Sequence, residues 1–184
     1  MIDPLIAETV SVGLGLMFLF AAWHKLTDRA QFGVTLLEYQ LLPEGLVPSA
    51  ALAVPLFEAL LGSAWLIGYL PHELTALASA GLLALYALAI AVNLLRGRVY
   101  FDCGCGFGGK GDKEQYLSGG LIVRNVVLII IALTTLLPME ARTLGVGDYL
   151  TLGGALLAGT LLFGAANQLL ANRAAIDTWR KPRD

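Results

Sequence analysis

The sequence predicts an all-α integral membrane protein, a bundle of five membrane-spanning helices built as a four-helix core plus one. Three observations carry this. The chain is 57% hydrophobic and only 14% charged, against about 25% charge in a soluble domain, and its mean hydropathy is +0.73. Five apolar stretches each approach the roughly 20 residues a helix needs to cross a bilayer. Turn signals and charges separate them, and at this composition helices are the structures that satisfy their own backbone in lipid. The 184 residues leave room for one bundle, residues 1–172, and a polar tail, residues 173–184. A net charge of −2 gives no basic balance to attract nucleic acid.

Taken in order, the first helix is expected over residues 5–23 and ends in Trp23-His24-Lys25, an aromatic and a base where an interface belongs. Met1-Ile2-Asp3-Pro4 lacks the basic start of a secretion signal, and no small-residue cleavage site follows, so this stretch is expected to stay in the membrane. Ser11 and Gly15 form a small-residue pair at the spacing that admits a close neighbour. Residues 27–46 form a connector in which Phe32, Leu36, Leu37 and Tyr39 recur near helical spacing, as in a short interfacial helix. The second span, residues 48–69, opens on Pro48 and carries Pro55 inside, which should kink or break it. Glu58 follows on about the same face, near mid-span. An ionisable group at that depth is costly, so it is either functional or a structural ion pair between helices. It is expected to face inward toward Arg124, Lys25 or Tyr39.

The third span, residues 74–95, carries an Ala76, Ala80, Ala84 stripe and ends near Asn93 and Arg96-Gly97-Arg98. The fourth, residues 117–137, has Arg124 and Asn125 in its second turn and Pro138 at its end. Arg124 either reaches back to the interface or turns inward. The fifth, residues 148–171, contains Ala155 and Gly159 at small-residue spacing and Asn167 near its far end. Alternating sides put eleven of the twelve bases at one end of the bundle, with Arg142 alone at the other. The positive-inside rule then makes the basic end cytoplasmic.

Both cysteines lie in the loop at residues 99–116, as Cys103-Gly104-Cys105, in a run holding four of the 21 glycines. Glycine gives the backbone the freedom to bring two thiols together. Three uses fit: a pair cycling between dithiol and disulfide, a static disulfide, or a soft-metal site with His24 as a third ligand. Metal has the weakest case, because His24 is remote in sequence. Arg96, Arg98 or Arg124 would lower a thiol pKa if close.

Lys25-Leu26, Tyr39-x-x-Leu42-Pro43, Pro55-x-x-Glu58 with Gly62, Asn93 with Arg96-Gly97-Arg98, Cys103-Gly104-Cys105 and Arg124-Asn125 together resemble the MauE family of methylamine utilisation membrane proteins, itself similar to the wider DoxX-like group. The resemblance spans roughly residues 5–137. It departs from the family pattern at Gly106, inserted before Phe107. It implies a four-helix core in the bacterial inner membrane and a role in maturing the methylamine dehydrogenase small subunit or a similar quinoprotein. It also implies a thioredoxin-like, MauD-like partner and a periplasmic client. Charge puts the cysteine loop on the cytoplasmic side. The two agree if the protein relays reducing equivalents across the membrane or the loop dips into it, and two cysteines then require a mobile loop or a quinone. Cys103, Cys105, Glu58 and Arg124 are the candidate catalytic residues. The competing reading is a non-catalytic membrane assembly scaffold, or a DoxX-like quinone-linked subunit.

Overall fold

The computed structural model describes residues 2–97, 119–140 and 142–180, with side chains described as far as residue 169. Cys103 and Cys105, the loop that carries them, and Arg98 lie outside the described residues. The helices are α1 (Pro4–Thr27), α2 (Arg29–Tyr39), α3 (Val47–Ile67), α4 (His72–Leu95), α5 (Gly119–Thr134) and α6 (Val146–Arg180). A short 3-10 turn, Glu44–Leu46, precedes α3. No strands occur among the described residues beyond one backbone bridge between Ile2 and Met139.

Four helices have the length and apolarity to cross a membrane: α1, α3 with its leading turn, α4, and α6 as far as Leu169. The fifth, α5, is equally apolar but has 16 described residues, about 24 Å at 1.5 Å per residue. It ends before Leu137, the limit expected from the sequence. Leu136 and Leu137 donate to Leu133 and Thr134, three residues back, so the chain tightens out of the α-helix ahead of Pro138. Other ends moved too. The first helix continues past Trp23 to Thr27, which places Lys25 inside it. The second stops at Ile67 because Gly68 turns left-handed, at φ 74°. It runs through Pro55 as one helix rather than breaking there. The last helix runs on to Arg180, well into the polar tail.

The termini of these helices are built locally. Asp3 caps α1, its Oδ1 accepting from Leu5 N at 2.8 Å, with Pro4 in the first turn where a missing N–H costs nothing. Asp28 caps α2 through Gln31 N. As expected for the connector, α2 is a short helix at the end of the bundle, and it buries Phe32, Thr35 and Tyr39.

Packing pairs α1 with α3 and α4 with α5, and a core of Leu14, Phe18, Leu61, Trp65, Ala76, Leu82, Leu83 and Ala132 joins them. In lipid, helices associate through close packing rather than hydrophobic exclusion, and small residues permit it. Gly15 and Gly62 do this for α1 and α3: a Cβ on Gly62 would lie 2.9 Å from the Gly15 carbonyl oxygen and 2.9 Å from Leu19 N. Those neighbours are backbone and cannot yield. Gly62→Ala is therefore expected to wedge the two helices apart and cost about 1–3 kcal/mol, a typical overpacking penalty. Thermal unfolding in detergent checks this, and an unchanged midpoint would contradict it.

At the sparsely basic end, Ile2 N donates to Pro138 O and Glu140 N to Ile2 O. Arg142 bonds both Asp3 and Asp148 at 3.0 Å. This clasp ties the start of α1 to the α5–α6 connection and confirms that the two lie on one side. The Arg142 hydrogen bond, with the Leu5 amide second, holds the Asp3 carboxyl below its ordinary 3.8. A lowered folded pKa means the contribution is complete above 3.8 and lost as pH falls through the folded value. Hydrogen-exchange protection of the Ile2 and Glu140 amides is expected to fall over that acid range. In Arg142→Gln it should be low already at neutral pH; persistent protection in that variant would show that the bridge stands without the clasp.

Candidate functional site

Glu58 falls on the buried stripe of α3, in step with Ala51, Pro55, Gly62 and Trp65. It lies 11 residues from the start of that helix, about 16 Å along it, and is 1% exposed. Lys25 continues the buried stripe Leu14, Phe18, Ala22 of α1 and is 4% exposed. The Lys25 ammonium donates to Glu58 Oε1 as a buried ion pair. Tyr86 of α4 donates its hydroxyl to the same oxygen at 2.7 Å. The ammonium also lies 5.5 Å from the Phe32 ring centre and 5.2 Å from that of Tyr86. Such placement over aromatic faces stabilises a desolvated cation. Phe32 is how α2 contributes: folded back on the end of the bundle, it closes over the ion pair.

The expectation that Glu58 faces inward with Lys25 among its partners is met. Tyr86 was not anticipated. A signal for it exists in the sequence, since Ser79, Tyr86 and Asn93 recur every seven residues along α4, two turns apart and so on one face. Ser79 accepts from Trp65 Nε1 at 2.9 Å, and Asn93, 0% exposed, donates to Ala89 O. Tyr39 packs instead in a small cluster with Ile90 and Leu121.

Arg124 turns inward. Its guanidinium donates to Asn167 Oδ1 of α6 at 3.0 Å and lies 5.8 Å from the Phe163 ring centre. Together with Lys25, Glu58, Tyr86 and Asn125 it lines a cavity of about 40 Å³. That is room for a few waters at 10–15 Å³ of such volume each. Its remaining walls are apolar, among them Phe18, Leu83, Leu128 and Phe163. The cavity thus draws on α1, α3, α4, α5 and α6, in the half of the bundle nearer the basic end. The loop carrying Cys103 and Cys105 joins α4 to α5, and these two helices supply Tyr86, Arg124 and Asn125 to it. The arrangement holds two cations, a carboxylate and a phenol at membrane depth, a set able to store or pass a proton and to bind an acceptor oxygen.

Fold and site together define a multi-pass helical membrane protein with a buried ion pair beside a small, mostly apolar cavity between its helices. The chain belongs to the MauE family, described as methylamine utilisation protein MauE, which matches residues 3–138. It is 33% identical to the methylamine utilization protein MauE of Paracoccus denitrificans, over 98% of this chain and 95% of that one. It is 37% identical to MauE of Paracoccus versutus, over 88% and 83% of the two chains. MauE of Methylorubrum extorquens is 34% identical, over 74% and 73%. No solved structure matches the chain. The family match ends before α6, whereas the Paracoccus denitrificans alignment covers nearly the whole chain.

Proposed function

We propose that this chain is a thiol–disulfide protein of the bacterial inner membrane that acts in methylamine utilisation. In this reading Cys103 and Cys105 alternate between dithiol and disulfide during maturation of the methylamine dehydrogenase small subunit or a similar quinoprotein. The observation that carries the reading is membership of the MauE family in a chain with only two cysteines. They form a Cys-Gly-Cys on the connection between α4 and α5, two of the five helices that line the cavity beside Glu58. Exchange runs through a mixed disulfide. A thiolate of the pair attacks a sulfur of a partner disulfide, the displaced sulfur leaves as thiolate, and the second cysteine then closes the ring and releases the other partner sulfur. The pair ends oxidised and the partner gains two thiols; the reverse sequence oxidises the partner. A thioredoxin-like, MauD-like protein is the natural exchange partner. Glu58, held by Lys25 and Tyr86, takes or returns a proton within the bundle, and Arg124 favours anionic species near the cavity.

Redox-graded alkylation of membranes with a maleimide mass tag tests the reading. The two thiols are expected to pass together from tagged to protected across a defined potential, and to exchange with a thioredoxin-like protein. Thiols tagged at every potential, or a disulfide that such a partner cannot reduce, would leave the assembly-scaffold reading. That second reading draws support from the tightly built Lys25–Glu58–Tyr86 network and the close Gly15–Gly62 crossing. An impermeant thiol label, applied from each side, determines whether the cysteine loop faces the cytoplasm, as its bases favour.

A further inference from the structure

We infer that Asn167 and Phe163 of α6 are positioning residues, which hold Arg124 turned inward at the Lys25–Glu58 cavity. The part Arg124 then takes in thiol exchange rests on the thiol–disulfide reading; its placement rests on the geometry of α6 alone. The partly buried face of that helix carries Leu152, Leu156, Phe163 and Asn167, residues at helical spacing along one side. Gly13 of α1 leaves room for this face: a Cβ built there would come within 3.8 Å of Leu156 Cδ2. With α6 laid against α1 in this way, Phe163 and Asn167, one turn apart, meet Arg124 of α5. Asn167 Oδ1 accepts from Arg124 Nη1 at 3.0 Å, and the Phe163 ring centre lies 5.8 Å from the guanidinium carbon.

Arg124 has another place to go. It stands five residues from Gly119, the first described residue of α5, about 7.5 Å along the helix. A long basic side chain can span that distance and set its charge among the headgroups. An acceptor oxygen and an aromatic face inside the bundle favour the inward arrangement instead. Asn167 itself is left incompletely satisfied. Its Nδ2 is buried with no hydrogen-bond acceptor among the described residues, and a buried donor left unpaired destabilises a fold. Leucine at this position would carry no such penalty. An amide that leaves a donor unpaired, and makes its one side-chain hydrogen bond among the described residues to Arg124, serves Arg124 rather than the fold. Turned inward, the guanidinium lines the cavity with Lys25 and Glu58; among the headgroups it would not. Phe163 and Asn167 both lie beyond residues 3–138, the segment matched to the family. The inward arginine is therefore set by a helix outside that segment.

The test uses the full chain in lipid nanodiscs and reads Arg124 with p-hydroxyphenylglyoxal, an aqueous arginine reagent, taking the exposed Arg29 as internal reference. In wild type Arg124 should be protected. In Asn167→Leu its labelling relative to Arg29 should rise roughly tenfold, the factor that loss of one charged hydrogen bond carries. Phe163→Leu, which keeps bulk and removes the aromatic face, should raise it less. The unfolding midpoint of Asn167→Leu should hold or rise, while its rate of thiol exchange with a thioredoxin-like protein falls. Asn167→Gln keeps an acceptor oxygen and should restore both protection and exchange. Gln168→Leu, one residue along and exposed, should leave all three readings at the wild-type value. Arg124 still protected in Asn167→Leu would overturn the inference. So would a lowered midpoint with every arginine labelled alike, the mark of a structural brace. Labelling that rises with exchange unchanged would overturn the part of Arg124 in exchange. A wild-type chain that shows no exchange, while Arg124 labelling follows Asn167 as stated, removes the thiol–disulfide reading alone and upholds the placement.

Discussion

Serine in place of either Cys103 or Cys105 is expected to abolish maturation of the client quinoprotein while leaving the chain in the membrane at normal level. The loss should be complete rather than graded, because the sequence has no third cysteine to replace the missing partner. A single remaining thiol can start a mixed disulfide but not resolve it, so each variant should accumulate trapped complexes with its thioredoxin-like partner. Insertion should be untouched. The α1–α3 and α4–α5 pairings and the core between them draw on residues outside the cysteine loop. Client maturation is read from the quinone absorbance of the assembled enzyme, and membrane level from immunoblotting of the same cells. Normal maturation in both variants would remove the redox role and leave the scaffold.

Lys25→Met should be the most destabilising single substitution in the bundle. It leaves Glu58 buried with its counter-ion gone, and removing one partner of a buried pair costs about 3–5 kcal/mol. Tyr86 continues to donate to Glu58 Oε1, which offsets part of that cost. Glu58→Gln removes the opposite charge and keeps the shape and the Tyr86 hydrogen bond. The double variant Lys25→Met/Glu58→Gln should recover much of the stability lost in Lys25→Met, since neither charge then remains in the interior. Thermal unfolding of the four proteins in one detergent gives the coupling directly. Costs that simply add would show that the pair is not energetically coupled. Turnover separates the two roles of Glu58. If it carries a proton, Glu58→Gln and the double variant both insert but lose thiol exchange; if it only braces the helices, the double variant retains exchange.

Composition, spacing and charge by themselves determined the class of this protein. Long apolar stretches in a chain poor in charge have few stable alternatives to membrane helices, because a backbone in lipid must satisfy its own polar groups. They also determined that Glu58 would face inward, since exposing a carboxylate to hydrocarbon is costly wherever its neighbours lie, and that the connector would carry a short interfacial helix. The resemblance in Lys25, Pro55-x-x-Glu58, Cys103-Gly104-Cys105 and Arg124-Asn125 pointed to the family that residues 3–138 match. Helix ends were less legible. The first span continued past Trp23, and the fourth stopped short of Pro138, because fraying and tightening turns depend on a few local hydrogen bonds. Only the tertiary structure decided which polar groups meet. Whether Lys25, Arg124 or Tyr39 would reach Glu58 depended on the rotation of each helix about its own axis. The close Gly15–Gly62 crossing brings α1 and α3 together with their buried stripes facing, and Lys25 and Glu58 both lie on those stripes. The seven-residue recurrence on α4 brings Tyr86 to the same carboxylate, and Arg124 meets Asn167 across a sequence distance of 43 residues. Periodicity describes one helix at a time. The cavity belongs to five, and its residues become neighbours only when the helices pack.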